Sequence, residues 1–295
     1  MHILLTGGSG FIGSALIPKL IELSYAVTVL TRQNTPKALE KTRYINNLEQ
    51  LADPVDAVIN LAGASLAGGR WTDRYKREIR DSRISLTNGL GAYFDRQEVR
   101  PKIWLNASAI GYYGSHPNRV FQENDEGGSG FAADLCRDWE SSAEQAAGDA
   151  RLCKLRIGVV LDAGGGAFVE MARSFQMGVG SWMGDGRQWL SWIHRQDVIT
   201  AMLFLLQQEQ ARGVYNLTAP HAVTNKEFCG LMRKHYRTFL AMPVPGSLLR
   251  VLVGEMADEL LLQGQKVLPA RLQESGFTFA YPTLTDAIRE IRHAS

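Results

Sequence analysis

Three glycines, each pair separated by two residues and set directly behind an apolar run, constrain this chain more than any other feature. Ile3-Leu4-Leu5 breaks at Thr6-Gly7-Gly8-Ser9-Gly10-Phe11-Ile12-Gly13 and passes into the helical pattern Leu16, Ile17, Leu20. A strand that ends on spaced glycines and opens a helix aims backbone N–H groups and the positive end of the helix dipole at one point. That is where a pyrophosphate is held. A second strand pattern over 26–31 lies at the distance a βαβ unit needs. The pattern predicts a dinucleotide against Gly7, Gly10, Phe11, Ile12 and Gly13, with a tight turn that holds no ligand as the alternative.

The glycine spacing resembles the TGxxGxxG signature of the short-chain dehydrogenase/reductase superfamily, in its extended, epimerase-like branch. The resemblance implies NAD or NADP. An acid at the end of the second strand would accept hydrogen bonds from a free ribose and repel a 2′-phosphate. This chain has Thr31-Arg32 there and no acid before Glu40. A guanidinium matches a phosphate as a bidentate, charge-assisted partner, so NADP(H) is expected. The alternative for Arg32 is an ordinary exposed basic residue.

At 295 residues, 45% of them hydrophobic, the chain can bury one large or two unequal domains. The fold class expected is α/β: a doubly wound, parallel Rossmann sheet over residues 1–160, with a smaller C-terminal α/β lobe over 161–295 whose strands interleave with the first domain. The 32 basic and 30 acidic residues are spread along the chain for a net charge of +2, so no nucleic-acid partner is expected. Cys136, Cys153 and Cys229 have neither metal-ligand spacing nor an even count, which suits a reducing compartment and implies no metal site. A first strand beginning at His2 leaves no room for a signal peptide, and no apolar run approaches the ~20 residues of a membrane span. A cytoplasmic protein without a membrane partner is expected, its oligomeric state open.

Farther along, the apolar strand 56–64 runs into Asn60-Leu61-Ala62-Gly63. The resemblance implies Leu61, Ala62 and Gly63 as cofactor neighbours. One long helix is predicted over 72–94, with a stripe of Tyr75, Ile79, Leu86 and Leu90 that also carries Arg83. A charge on a buried face needs a partner. Glu78 on the adjoining face, or the cofactor itself, is one reading; a side chain that snorkels to solvent is the other.

The strand 103–107 delivers Ser108-Ala109-Ile110-Gly111-Tyr112-Tyr113. The resemblance implies that Ser108 orients the reacting oxygen. The superfamily's proton relay, a Tyr followed four residues later by Lys, is absent: no tyrosine here has Lys at that spacing. On the helix that should carry the pair, an alignment on Glu140 puts Ala132 and Cys136 in those places. The proton donor is then expected to be Tyr112, Tyr113, the substrate or water. A strand over 155–161 leads into Gly164-Gly165-Gly166, and the resemblance implies Val160 as a cofactor neighbour. Asp197 is predicted to cap a helix over 198–207, and His194 to be a packed histidine. Helices are expected over 248–253 and 285–291.

Together with Ser191-Trp192-Ile193-His194, Glu255-Met256-Ala257 and the 264–269 segment, these motifs are similar across the whole chain to an atypical epimerase-family group of unassigned reaction. The resemblance implies an NADP(H)-dependent oxidoreductase or epimerase acting on a small molecule, with nucleotide sugars among the candidates. The alternative is a non-catalytic NADPH-binding sensor or docking protein.

Overall fold

The computed structural model describes residues 1–33 and 41–293; Glu40 lies outside that range. The strands are β1 (His2–Thr6), β2 (Ala26–Leu30), β3 (Thr42–Ile45), β4 (Ala57–Asn60), β5 (Ile103–Ala109), β6 (Val120–Phe121), β7 (Arg151–Ile157), β8 (Val159–Asp162), β9 (Val179–Met183), β10 (Trp189–Leu190), β11 (Trp192–His194), β12 (Gly213–Leu217), β13 (Val223–Thr224), β14 (Leu240–Val244) and β15 (Lys266–Val267). The helices are α1 (Gly13–Glu22), α2 (Asp73–Asp81), α3 (Ile84–Phe94), α4 (Phe131–Ala147), α5 (Gly166–Gln176), α6 (Arg195–Gln207), α7 (Asn225–His235), α8 (Gly246–Val253), α9 (Ala270–Glu274) and α10 (Leu284–His293).

Seven strands form one parallel sheet in the order β12-β7-β5-β4-β1-β2-β3. Its central strands β1 and β4 read as largely apolar runs because both faces are covered. Ile3 and Leu5 pack with Leu16 and Leu20 of α1 and Met202 and Leu205 of α6. On the opposite face Leu4, Val58 and Trp104 pack with Leu90 and Phe94 of α3. Strand order reverses between β1 and β4, and the crevice beyond their carboxyl ends is where such sheets take ligands.

The predicted strand over 155–161 is two strands. At Gly158 the chain leaves the main sheet: its N–H donates to Leu217 O, and a Cβ there would stand 2.7 Å from Ser191 O. β8 then pairs with β11 and opens the second lobe. Short pairs β9–β14, β10–β13 and β6–β15 complete the minor sheets, over a second core of Phe168, Phe175, Trp192, Phe228, Met232 and Ile288.

The single helix predicted over 72–94 is also two, α2 and α3, broken at Ser82-Arg83. Both side chains compete there for a helical carbonyl: Ser82 Oγ donates to Ile79 O at 2.9 Å, and Arg83 Nη1 to the same oxygen at 3.1 Å. Asp197 does not cap α6. The N-cap is His194, whose Nδ1 accepts from Gln196 N, while the buried Asp197 carboxylate accepts from Ala280 N at 2.8 Å and Tyr281 N at 3.0 Å. Asp197 therefore ties the C-terminal segment onto α6.

Candidate cofactor site and its buried polar network

The glycine loop lies at the β1–β4 switch point. Gly7 has φ +70°, and a Cβ on it would stand 2.6 Å from Leu61 O, so only glycine lets the two loops meet. Gly10 N donates to Gly7 O at 2.9 Å, and a Cβ on Gly13 would run into that same carbonyl. The first turn of α1 is thereby pressed against the end of β1, with the positive end of its dipole at the switch point. Leu61 and Ala62 are half-buried and Gly63 is exposed on the facing turn. Asn60, beneath it, is fixed by Thr6 Oγ1 at 2.6 Å, Thr87 Oγ1 at 2.9 Å and Asn106 Oδ1 at 2.7 Å.

Phe11 joins the two lobes. Gly165 and Gly166 fold against its ring, so that a Cβ on Gly166 would stand 2.6 Å away. The Arg195 guanidinium lies 4.8 Å from the ring centroid and pairs with Asp162 at 3.0 Å. Val160 is half-buried in β8, against the main core. Ile12 is half-buried beside α1. At the far end of the crevice Thr31 is half-buried and Arg32 exposed, free to meet a ligand.

Arg83 neither snorkels nor pairs with Glu78. Its Nη2 donates to Ala64 O at 3.0 Å, and its guanidinium lies where a Cβ on Gly63 would come within 2.8 Å of it. Trp139 lies 5.2 Å beneath, and burial lowers the arginine's pKa. Glu78 is exposed on α2. Arg83 thus braces the Gly63 turn with backbone carbonyls as its partners.

Around β5 the structure departs from the expected catalytic arrangement. Ser108 is 3% exposed, and its hydroxyl donates to Glu140 Oε1 at 2.7 Å. Glu140 also receives Arg156 Nε at 2.7 Å and Nη2 at 2.9 Å, a bidentate buried pair. Burial opposes the charge of Arg156, but the hydrogen bonds and charge of Glu140 outweigh it and raise the arginine's pKa. Arg156 Nη1 reaches the Tyr113 hydroxyl at 3.0 Å, which donates to Asn216 Oδ1 at 2.7 Å. Burial pushes the Tyr113 phenol up to about 12, so it serves this network and not a proton shuttle near neutral pH.

Tyr112 is placed otherwise. Its ring lies face-on to Arg156, 3.3 Å from guanidinium carbon to centroid, and its outer edge meets Gly127, where a Cβ would stand 3.1 Å from Cζ. Arg156 is the residue that sequence reasoning missed. Its one signal was a guanidinium inside the apolar run Leu155–Leu161. Cys136 and Glu140, one turn apart on α4, both lie against the end of β5, and burial raises the Cys136 thiol to about 11. Among the described residues no three His, Cys, Asp or Glu side chains gather as metal ligands.

The model of the NAD dependent epimerase/dehydratase family matches residues 3–218, and that of a domain of unknown function matches 244–291. The epimerase family protein SDR39U1 homolog, chloroplastic, of Arabidopsis thaliana is 37% identical over 306 residues, covering 99% of this chain and 86% of that protein. Epimerase family protein Mb2239 of Mycobacterium bovis is 39% identical over 290 residues, 96% of this chain and 95% of that one. The crystal structure of human epimerase family protein SDR39U1 (isoform 2) with NADPH matches with a TM-score of 0.90 at 30% identity, covering 100% of both chains. MoeE5 in complex with UDP-glucuronic acid and NAD, at 20% identity and a TM-score of 0.77 over 100% of both chains, shares the fold. With the glycine loop, the reversed strand order and the missing Tyr-Lys pair all in place, this chain belongs to the NAD dependent epimerase/dehydratase family, as an atypical short-chain dehydrogenase/reductase.

Proposed function

We propose that the chain binds NADP(H) in the β1–β4 crevice and is an atypical oxidoreductase or epimerase acting on a small molecule, a nucleotide sugar being the class its fold neighbours suggest. The observation that carries the cofactor is the cradle at Gly7, Gly10 and Gly13, which any Cβ at Gly7 or Gly13 would fill. The α1 N-terminus, Phe11 and Ile12 hold the pyrophosphate, Leu61, Ala62 and Gly63 approach the adenosine half, and Val160 approaches the nicotinamide half. Thr31 and Arg32 receive the 2′-phosphate. The NADPH-bound human relative supports the same choice. When bound, the cofactor supplies or accepts a hydride.

Of the two residues assigned to the chemistry, Tyr112 is the proton donor. Ser108, whose hydroxyl donates its hydrogen bond to Glu140, acts as a brace for the carboxyl end of β5. That same commitment favours a second reading, a non-catalytic NADPH-binding sensor. One experiment separates them: a metabolite screen followed by NADPH absorbance. Turnover that falls about 10²–10⁴-fold in Tyr112→Phe with NADPH affinity retained supports the enzyme. Tight NADPH binding with no turnover across the screen sinks it. For the cofactor itself, NADPH should bind more tightly than NADH and Arg32→Asp should erase the difference; equal affinities in the unmutated chain would refute the assignment.

A further inference from the structure

The second lobe carries an apolar surface that its own core leaves uncovered. Phe239 is 83% exposed, Met177 64%, Val251 72% and Leu252 59%, with Leu240, Met242 and Leu248 also exposed. Leu240 and Met242 share one face of β14, an edge strand paired only with β9, and α8 has no buried residue at all. The Phe239 ring is held against Gly178, next to Met177. Isolated exposed side chains are ordinary, but a run of them along β14 and the helix that follows it marks a contact surface.

The charge beside it is mostly basic. From residue 228 to 254 the chain has Arg233, Lys234, Arg237 and Arg250 and no Asp or Glu. Arg250 is answered by Asp258. The other three are exposed at the end of α7, and Arg233 Nε reaches Thr238 Oγ1, the residue before Phe239, at 3.3 Å. Arg292 of α10, and Arg289, which Asp286 answers at 3.6 Å, lie near them: burial first, then the charges of Arg289, Arg292 and Lys234, lower the pKa of His235. Arg292 also stacks on Tyr236, 4.5 Å from its centroid.

We propose that this face, from Phe239 through β14 to α8 with the basic end of α7, docks on an anionic lipid surface. A second copy of the chain fits it less well. A two-fold contact would set the same patch against itself and bring Lys234, Arg237 and Arg292 toward their own counterparts. An anionic bilayer instead offers negative headgroups to the arginines and an apolar layer beneath for Phe239, Met242 and Val251. The lack of a spanning helix among the described residues bears on crossing a membrane, not on lying against one.

The test is co-sedimentation of the full chain with vesicles of phosphatidylglycerol and phosphatidylcholine, or of phosphatidylcholine alone. Pelleting with the anionic vesicles only, lost on raising the salt, is expected. Lys234→Glu/Arg237→Glu and Phe239→Ser/Met242→Ser should each lower the bound fraction's affinity about tenfold or more at an unchanged circular dichroism spectrum. These positions are exposed, so the variants should fold. No pelleting with anionic vesicles, or equal pelleting with neutral ones, overturns the proposal. So does a size-exclusion dimer that Phe239→Ser abolishes in a chain that ignores vesicles, which would give the face to a second copy.

Discussion

Glu140 and Ser108 make one hydrogen bond together, yet their loss should not cost the same. Glu140→Ala leaves the guanidinium of Arg156 buried and unpaired, which typically costs about 3–5 kcal/mol. Ser108→Ala removes one donor from a carboxylate that keeps two others, a loss of about 1.5–3 kcal/mol. Urea denaturation should rank Glu140→Ala well below Ser108→Ala, and equal destabilisation would mean that Arg156 finds another partner. Arg83 acts through the turn that it braces. Arg83→Ala should weaken NADPH binding by about 1–3 kcal/mol while leaving the fold intact, because the Gly63 turn loses the guanidinium that donates to Ala64 O and ties it to α2. An unchanged dissociation constant would reduce Arg83 to a packing role. The sequence showed that Arg83 would need a partner, although the helix expected to carry it is broken at that residue. It gave no view of the carbonyls of Ile79 and Ala64, because backbone acceptors leave no residue-type signal.

At the scale of elements, glycines that look alike in the sequence have opposite roles. Gly13 opens α1 where a Cβ would meet Gly7 O, whereas Gly89 sits in α3 with open space around it. Gly13→Ala should therefore abolish NADPH binding. Gly89→Ala should raise the thermal midpoint, from a helix-propensity gain of about 0.5–1 kcal/mol. Titration calorimetry and thermal denaturation check the pair; NADPH affinity unchanged in Gly13→Ala would mean that the glycine loop does not hold the cofactor. The βαβ unit at the N-terminus was readable because its strand, turn and helix are local. The breaks at Ser82-Arg83 and at Gly158 were not, since the first turns on two side chains reaching back to Ile79 O and out to the Ala64 turn, and the second on β8 pairing with the distant β11.

At the scale of the whole molecule, two kinds of buried titratable group set opposite pH dependences. Burial lowers His194, so its folded-state pKa lies below the ordinary 6.5. Its contribution is present above that value and is lost as pH falls toward the folded pKa, where the proton on Nδ1 would also remove the acceptor that caps α6. Burial raises Glu123 and Asp197, so their contribution is fullest below the ordinary carboxylate range and declines as pH rises through the raised values. His194→Asn keeps a capping oxygen and has no proton to gain. Its thermal midpoint should fall less than that of the unmutated chain between about pH 7.5 and 5.5. An identical fall in both would show that the acid sensitivity lies elsewhere.

The sequence by itself determined the parallel α/β sheet, the glycine cradle at its switch point and the missing Tyr-Lys relay, because each is written in residue type and short spacing. It also determined that any charge on the buried stripes would need a partner. Only the tertiary structure decided who those partners are. Ser108 meets Glu140 across 32 positions, Tyr113 meets Asn216 across 103, and Asp197 meets Tyr281 across 84. The basic end of α7 likewise joins Arg289 and Arg292 only through the packing of α10. Local spacing fixes which groups face inward; the burial of those groups together, far apart along the chain, fixes which proton or charge each of them is left free to offer.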